Sequence, residues 1–200
     1  MKEVDLGSEK IPKLIKRFAI PCVISMIVAA LYNIVDQIFI GWSEAGAFGN
    51  AATNIVYPFT VISLAFALLV GDGSAALFSL SLGAQDKEKA NKSIGNGLIL
   101  LIVISIVLTI IGLVFNKQIL GLFGGNPNEA ECYQYAQDYL RIICYGLPFY
   151  IIGQGLNASI RNDGSPRYAM VATIVGALSN IILDPIFIFG FKMSVKGAAI

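Results

Sequence analysis

Long apolar runs, separated by short polar segments, constrain the fold of this chain more than any other feature. Several runs extend over about 20 residues with almost no charge, which is the length that a helix needs to cross a hydrocarbon core of about 30 Å. Hydrophobic residues make up 56% of the 200 residues and charged residues only 14%, whereas soluble domains carry roughly 25% charged residues. We therefore predict an all-α fold, a polytopic transmembrane helix bundle.

The predicted bundle has five complete spans and the start of a sixth. A polar leader occupies residues 1–17, and the transmembrane region covers residues 18–200. The approximate bounds of the predicted spans are 18–41, 54–82, 93–115, 132–160 and 168–191, with the sixth starting near 197. Because the chain stops inside this sixth span, we expect it to be one part of a longer protein.

Lysine and arginine are unevenly distributed between the two ends of the predicted spans. The leader, the 83–92 connector and the 161–167 turn carry ten of these residues, whereas the three alternate segments carry three. Cytoplasmic loops of membrane proteins are enriched in Lys and Arg, so the bias predicts a cytoplasmic N-terminus. We therefore expect a multi-pass protein of the cell (cytoplasmic) membrane, with the lipid bilayer as its immediate partner.

Two aspartates, one in the first span and one in the fifth, are the strongest candidates for function. At 1.5 Å per residue, Asp36 and Asp184 lie about 26 Å from the predicted inner face, which places them at matching depth. Each lies on a stripe of small and polar residues, and Asn180 shares a helix face with Asp184 because the two are four residues apart. A charge within the bilayer costs about 3 kcal/mol on insertion scales, so an acid kept there is a functional candidate.

The paired acids indicate a site for a cation or a proton. If the two helices pack side by side, the carboxylates share one buried site and resist ionising together, so the pair holds a proton or a bound cation. The predicted ligands are Asp36, Asn180 and Asp184, which suit Na⁺ because it binds oxygen ligands, while a buried acid pair also suits H⁺. Pro185 disfavours helical geometry at Asp184, which predicts a kink there. The competing interpretation is that each acid is simply solvated near the outer interface.

A second group of polar residues within the spans forms a candidate substrate cavity. Asp72 is flanked by glycines, which let helix backbones approach closely or break the helix. For the other members, a hydrogen bond between packed helices is the alternative role. The group consists of Tyr32, Asn33, Gln37, Tyr57, Asp72, Gln154 and Asn157. An intramembrane enzyme is not expected, because the sequence has no histidine and no serine or cysteine with an evident base partner.

Several of these segments resemble the multidrug and toxic compound extrusion (MATE) family. The pattern Asn-x-x-x-Asp-Pro-x-Phe-x-Phe-Gly runs from Asn180 to Gly190, and Asn33-Ile-Val-Asp36 stands in the first span. Supporting segments follow in the order and spacing of the family. They are Pro21, Gly71-x-Gly73, the end of the second span from Ser81 to Asp86, Ile160 to Pro166, and Gly197 to Ile200.

The resemblance implies both an architecture and a transport activity. Members of the family have two six-helix lobes related by a pseudo-two-fold axis, and they expel cationic, amphipathic drugs in exchange for Na⁺ or H⁺. The chain would supply most of the N-terminal lobe, with the C-terminal lobe of the same protein and small organic cations as its partners. The N-lobe cation site of the family maps onto Asp36, Asn180 and Asp184. We expect no cofactor besides the coupling ion and no nucleic-acid partner.

Two alternative functions remain open beside the favoured prediction of a cation-coupled drug antiporter. A lipid-linked oligosaccharide flippase of the wider superfamily would favour a cleft rich in Arg and Lys, because its substrates carry pyrophosphate. The predicted spans contain almost no basic residue, which argues against this function. The second alternative is a non-transporting membrane scaffold, and the two acids at matching depth argue against it.

Overall fold

The computed structural model describes residues 10–199, and in this part of the chain every regular element is a helix, which confirms the all-α class. Five long helices are accompanied by two short ones and one π-helical turn. In chain order they are α1 (Ile11–Trp42), α2 (Gly46–Gly83), α3 (Lys87–Val114), α4 (Asn116–Leu122), α5 (Ala130–Asn162), α6 (Pro166–Pro185), the π-helical turn (Ile186–Gly190) and α7 (Val195–Ala198).

Four helices of the described region are both long enough and apolar enough to cross a membrane: α1, α2, α3 and α6 with its π-helical turn. The remaining long helix, α5, has 33 residues and a length of about 50 Å, but it is more polar than these four. The prediction that α5 is the remaining one of the five spans is therefore supported by its length and not by its hydrophobicity. The predicted sixth span corresponds to the four-residue α7. Of the predicted leader, residues 1–9 lie outside the described residues and residues 11–17 belong to α1.

Local sequence explains where several helices begin. Asp86 precedes α3, and its carboxylate accepts a 2.9 Å hydrogen bond from the backbone N–H of Lys89, which satisfies one of the free donors of the first turn. Pro166 is the first residue of α6. A backbone N–H at this position has no acceptor within the helix, so the N–H that proline lacks costs no hydrogen bond there.

Three helices, α2, α3 and α5, pack against one another and enclose the main core. Lipid tails are as apolar as the side chains, so close packing of small residues favours helix association in a bilayer more than burial does. The backbones of α2 and α5 touch at two glycines, since a Cβ added to Gly71 would lie 2.6 Å from the Cα of Gly155. A Cβ added to Gly97 of α3 would similarly lie 2.6 Å from the Cβ of Ser74 of α2.

The other two long helices, α1 and α6, pack mainly against each other and form a pair beside this trio. We call the end of the lobe that carries residues 43–45 the first-loop end, and the end that carries residues 84–86 the second-loop end. At the first-loop end, a small apolar cluster joins the pair to the trio. Its buried members are Ile40, Ala45, Ile188 and Val195, and Tyr139 of α5 packs against them.

The irregularity predicted at Asp184 takes the form of a change in helix type. The α-helix continues through Asp184 to Pro185, and the π-helical turn follows directly. The N–H of Phe191 donates to the carbonyl oxygen of Ile186 at 2.9 Å, a bond between residues five apart. Because Pro185 has no N–H, the hydrogen-bond ladder is already interrupted at this point. Single π turns of this kind are frequent at functional sites.

Candidate cation site and cavity

The structure brings the two membrane aspartates together between α1 and α6. Asp184 is almost completely buried, with 3% of its surface exposed, and Asp36 is half-buried. The carboxylate of Asp36 lies within electrostatic range of Asp184. The packing of α1 against α6 produces this proximity, and side-by-side packing of these two helices is the condition under which the sequence analysis expected a shared site.

The oxygen atoms at this site have few hydrogen-bond donors among the described residues. The Nδ2 of Asn180 donates to Oδ1 of Asp184 at 3.1 Å. Three other oxygens are buried and have no hydrogen-bond partner among residues 10–199: Oδ1 of Asp36, Oδ2 of Asp184 and Oδ1 of Asn180. A buried polar group without a partner costs about 1–3 kcal/mol, and more if it is charged. Protons on the acids or a bound cation such as Na⁺ would remove this cost, so these oxygen ligands fit either one.

Tyr139 of α5 is a third element of the site, and our sequence analysis did not identify it. Its phenol lies within electrostatic range of both Asp36 and Asp184. Its ring packs against the apolar cluster at the first-loop end, which fixes its position between the helix pair and the trio. The sequence feature that could have identified Tyr139 is its position beside Asp138, where the amphipathic start of the helix is followed by its apolar part.

A cavity of about 470 Å³ opens beside Asp36, between α1, α2 and α5. Four of the predicted cavity residues lie on its wall together with Asp36 and Tyr139, namely Tyr32, Asn33, Gln37 and Tyr57. Gln37 links α1 to α2, because its side-chain amide lies 3.4 Å from the hydroxyl of Thr53. The proton of that hydroxyl has a nearer acceptor in the carbonyl oxygen of Asn50 at 2.9 Å, so the amide of Gln37 is the donor in this link.

The other three predicted cavity residues, Asp72, Gln154 and Asn157, are absent from the wall of this cavity. They lie further along α2 and α5, towards the second-loop end, where Gly71 and Gly155 are in contact. Among the described residues, no group of three or more His, Cys, Asp or Glu side chains could hold a metal ion.

Comparisons with known proteins identify the family of this chain. The MatE family model matches residues 21–186, which is most of the chain. The chain belongs to the MATE family. The sequence resemblance is thereby confirmed, and so is the architecture of a membrane-embedded helix bundle. MATE proteins are transporters rather than enzymes, in agreement with the expectation from the sequence.

Individual relatives and solved structures show how much of a MATE protein this chain covers. The multidrug export protein MepA of Staphylococcus haemolyticus is 30% identical over 188 residues, which are 94% of this chain and 41% of the relative. The structure of the MATE multidrug transporter DinF-BH has a TM-score of 0.90 and 39% identity, covering 100% of this chain and 44% of that one. The chain thus spans about two fifths of the length of the relatives it matches.

A third comparison concerns the polarity of the binding pocket. A MOP superfamily transporter from Pyrococcus furiosus has a TM-score of 0.82 and 31% identity, covering 92% of this chain and 40% of that one. For that protein, a reverse polarity of the binding pocket suggests a different function.

Proposed function

We propose that the chain is the N-terminal lobe of a secondary antiporter, which exports cationic or amphipathic drugs and toxic compounds in exchange for H⁺ or Na⁺. Asp36, Asn180 and Asp184 bind the coupling ion. The C-terminal lobe of the same protein completes the substrate cleft. The observation that carries the proposal is a set of three buried oxygens, one each on Asp36, Asp184 and Asn180, that have no hydrogen-bond partner among residues 10–199, because a site with such a shortage of hydrogen-bond donors attracts protons or cations.

Drug and coupling ion compete in this scheme. Asp36 contributes to the ion site and also to the wall of the 470 Å³ cavity, so neutralising it changes both the charge and the packing around α1. A cationic drug near Asp36 is favoured when the carboxylate is ionised and carries no coupling ion. Aromatic side chains on the same wall, including Tyr32 and Tyr57, supply faces for cation–π contacts.

The orientation in the membrane follows from the distribution of basic residues. The N-terminus and the second-loop end, which carries Lys87, Lys89 and Lys92, lie on the cytoplasmic side of the cell membrane. The site at Asp36 and Asp184 then lies in the outer half of the membrane. In this orientation, drugs reach the lobe from the second-loop end and leave past the first-loop end.

The cavity wall also argues against the lipid-linked oligosaccharide flippase. No lysine or arginine occurs among the lining residues that the structure describes, whereas Asp36 is one of them. A pyrophosphate-bearing substrate would meet a negative wall with no compensating cation. A cationic substrate would instead be attracted by the negative charge of this wall.

Efflux from proteoliposomes tests the proposal. The full-length protein that contains this chain is reconstituted, and efflux of ethidium, a fluorescent organic cation, is driven by an imposed Na⁺ gradient or, separately, by a pH gradient. We expect one gradient to drive efflux in the wild type. Asp36→Asn and Asp184→Asn, which remove charge with little change in shape, are expected to abolish the driven component while the thermal unfolding midpoint stays close to that of the wild type.

A matched variant separates the site from general charge effects. Asp163→Asn removes one exposed acid from the turn between α5 and α6 and should leave gradient-driven efflux unchanged. Driven efflux that survives in both site variants would contradict the proposed ion site. A wild type that moves no organic cation under either gradient would contradict the proposed transport function itself.

A further inference from the structure

A second hollow adjoins the cavity beside Asp36 and lies nearer to the first-loop end. It is an open recess of about 670 Å³ between α1 and α2, and the lining residues closest to that end are Gly41, Trp42 and Asn50. Asn33 and Gln37 line both the recess and the cavity. These two side chains therefore form the partition between the open recess and the cavity that Asp36 lines.

Neutral polar side chains follow the line along which α1 and α2 meet. We call this contact, made by Gln37 and Gly41 of α1 with Asn50 and Thr53 of α2, the α1–α2 seam. The side-chain amide of Gln37 lies 3.4 Å from the hydroxyl of Thr53. One turn nearer to the first-loop end, a Cβ added to Gly41 would lie 3.1 Å from Nδ2 of Asn50. The hydroxyl of Thr53 connects the two levels, because it donates to the carbonyl oxygen of Asn50 at 2.9 Å.

Each end of this polar line carries a buried acceptor with unmet hydrogen-bonding capacity. Oδ1 of Asn50 at the outer end has no hydrogen-bond partner among residues 10–199, and neither has Oδ1 of Asp36 beside the inner end. Thr53 between them is only 5% exposed. A buried acceptor without a donor is destabilising, and a water molecule or a passing cation would satisfy both oxygens.

The direct way from the first-loop end to Asp36 is closed by apolar side chains. Ile40 lies one turn nearer to that end on the same face of α1 as Asp36. It is fully buried in the apolar cluster that joins the helix pair to the trio. Gln37 follows Asp36 by one residue, about 100° around α1, and it faces α2, where the contact is polar. An ion that comes from the first-loop end therefore meets polar atoms at the seam and not at the cluster.

We propose that the coupling ion reaches Asp36 from outside through the α1–α2 seam, and that the link between Gln37 and Thr53 is the gate of this route. The route rests on the proposed antiport function, in which the first-loop end faces outward. The amide oxygens of Asn50 and Gln37 replace part of the water around Na⁺, as carbonyl oxygens do in channels, or they order the water that carries H⁺. At 3.4 Å the gate is a long hydrogen bond, so it opens easily.

A covalent label in the seam tests the route. Right-side-out vesicles that contain the full-length protein carry Gly41→Cys and are treated with a membrane-impermeant trimethylammonium methanethiosulfonate reagent. The wild type measures the reaction of native cysteines. We expect the label to slow gradient-driven ethidium efflux at least tenfold relative to the same variant before labelling, because the added group fills the recess beside Asn50. Reduction with dithiothreitol should restore the efflux.

Phe48→Cys is the matched control for the label. Phe48 is exposed and precedes Asn50 by two residues, so it points about 160° away from it around α2. The reagent should react there from the same side and leave efflux unchanged. A Gly41→Cys variant that is not labelled from outside, or that exports equally well after labelling, overturns the route. If the wild type exports ethidium in these vesicles, that result refutes the route alone, whereas a wild type that exports nothing under either gradient refutes the proposed function.

A leak of the coupling ion tests the gate. Thr53→Val keeps the shape of the side chain and removes the hydroxyl that Gln37 contacts. In proteoliposomes without drug, we expect the ion gradient to dissipate at least threefold faster than with the wild type, and the leak to disappear when Asp36→Asn is added. Thr109→Val removes a 3.2 Å hydrogen bond between α3 and α5 and should leave dissipation at the wild-type rate. Unchanged dissipation in Thr53→Val, or a leak that persists without the Asp36 charge, overturns the gate.

Discussion

Asn180 donates a 3.1 Å hydrogen bond from its Nδ2 to Oδ1 of Asp184, one turn further along α6. The bond fixes one carboxylate oxygen and leaves Oδ2 of Asp184 and the amide oxygen of Asn180 buried without partners among the described residues. The amide therefore has two effects at once, since it orients the acid and adds a neutral oxygen to the site. Groups that orient a ligand in this way typically change ion affinity by about 10- to 100-fold when removed.

The first prediction concerns this amide. Asn180→Ala removes both the orienting donor and the neutral oxygen, so we expect the ion concentration for half-maximal ethidium efflux to rise about tenfold. The measurement is efflux from proteoliposomes over a range of coupling-ion concentrations. Ser179→Ala changes the exposed neighbour on the same helix and should leave the ion dependence as it is in the wild type. An unaltered ion dependence in Asn180→Ala would remove Asn180 from the ion site.

The helix bundle and the matching depth of the two acids were predictable from the sequence because both follow from one-dimensional patterns. Apolar runs of membrane-spanning length leave few alternatives to helices, since backbone polar groups in lipid must be paired within the segment. The fixed rise of a helix converts the positions of Asp36 and Asp184 into depths. Neither inference required knowledge of which helices are neighbours, whereas the meeting of the two acids depended on the packing of α1 against α6.

The position of Tyr139 depends on how α5 lies against the other helices, and a pattern along one helix does not contain that information. The contact of Gly71 with Gly155 sets the height of α5 against α2. The change of helix type after Asp184 was similarly foreseen only as an irregularity. Proline removes a hydrogen-bond donor from the helix, but the packing around the proline determines whether the helix kinks or widens into a π-helical turn.

The second prediction concerns the backbone contact between α2 and α5. A Cβ at Gly71 would lie 2.6 Å from the Cα of Gly155, a distance that backbone atoms can relieve only by moving apart. We expect Gly71→Ala to destabilise the fold by about 1–3 kcal/mol, as overpacking of a tight contact does. The measurement is the thermal unfolding midpoint of the purified protein in detergent.

Gly73 provides the matched control for this substitution. It lies two residues further along α2, and a Cβ added there would meet no atom within 4 Å. Alanine is a better helix former than glycine by about 1 kcal/mol, so Gly73→Ala should leave the midpoint unchanged or raise it. Equal midpoints for the two variants would show that the glycine contact is not tight in the bilayer protein.

The third prediction concerns the ion pair that ties α7 to α5. The Nζ of Lys196 lies 3.1 Å from Oδ2 of Asp138, with the two side chains 50% and 25% exposed. Because water and salt screen a pair with this exposure, we expect Lys196→Ala to cost less than about 1 kcal/mol of unfolding free energy. Lys196→Asp should lower the thermal midpoint further, because it sets two acids against each other, and the addition of Asp138→Lys should restore it.

The control for the ion pair is a lysine four residues earlier, in the segment that precedes α7. Lys192→Ala removes an exposed lysine and should leave the midpoint unchanged at low salt. The differences among the Lys196 variants should shrink in 0.5 M salt, since the Debye length falls to a few ångströms. A charge-swapped double variant that is no more stable than Lys196→Asp would show that the pair does not form in solution.

The last prediction concerns the phenol of Tyr139, whose ring and hydroxyl have separate roles. The ring packs against the apolar cluster of Ile40, Ala45, Ile188 and Val195, whereas the phenol lies within electrostatic range of both acids. Tyr139→Phe keeps the ring and removes the hydroxyl, so we expect an unchanged thermal midpoint and a three- to tenfold shift in the ion concentration for half-maximal efflux. Tyr135→Phe, one turn away on the same helix and packed against the same cluster, should change neither quantity. If Tyr139→Phe lowers the midpoint but leaves the ion dependence unaltered, the residue supports the packing at the first-loop end and takes no part in ion binding.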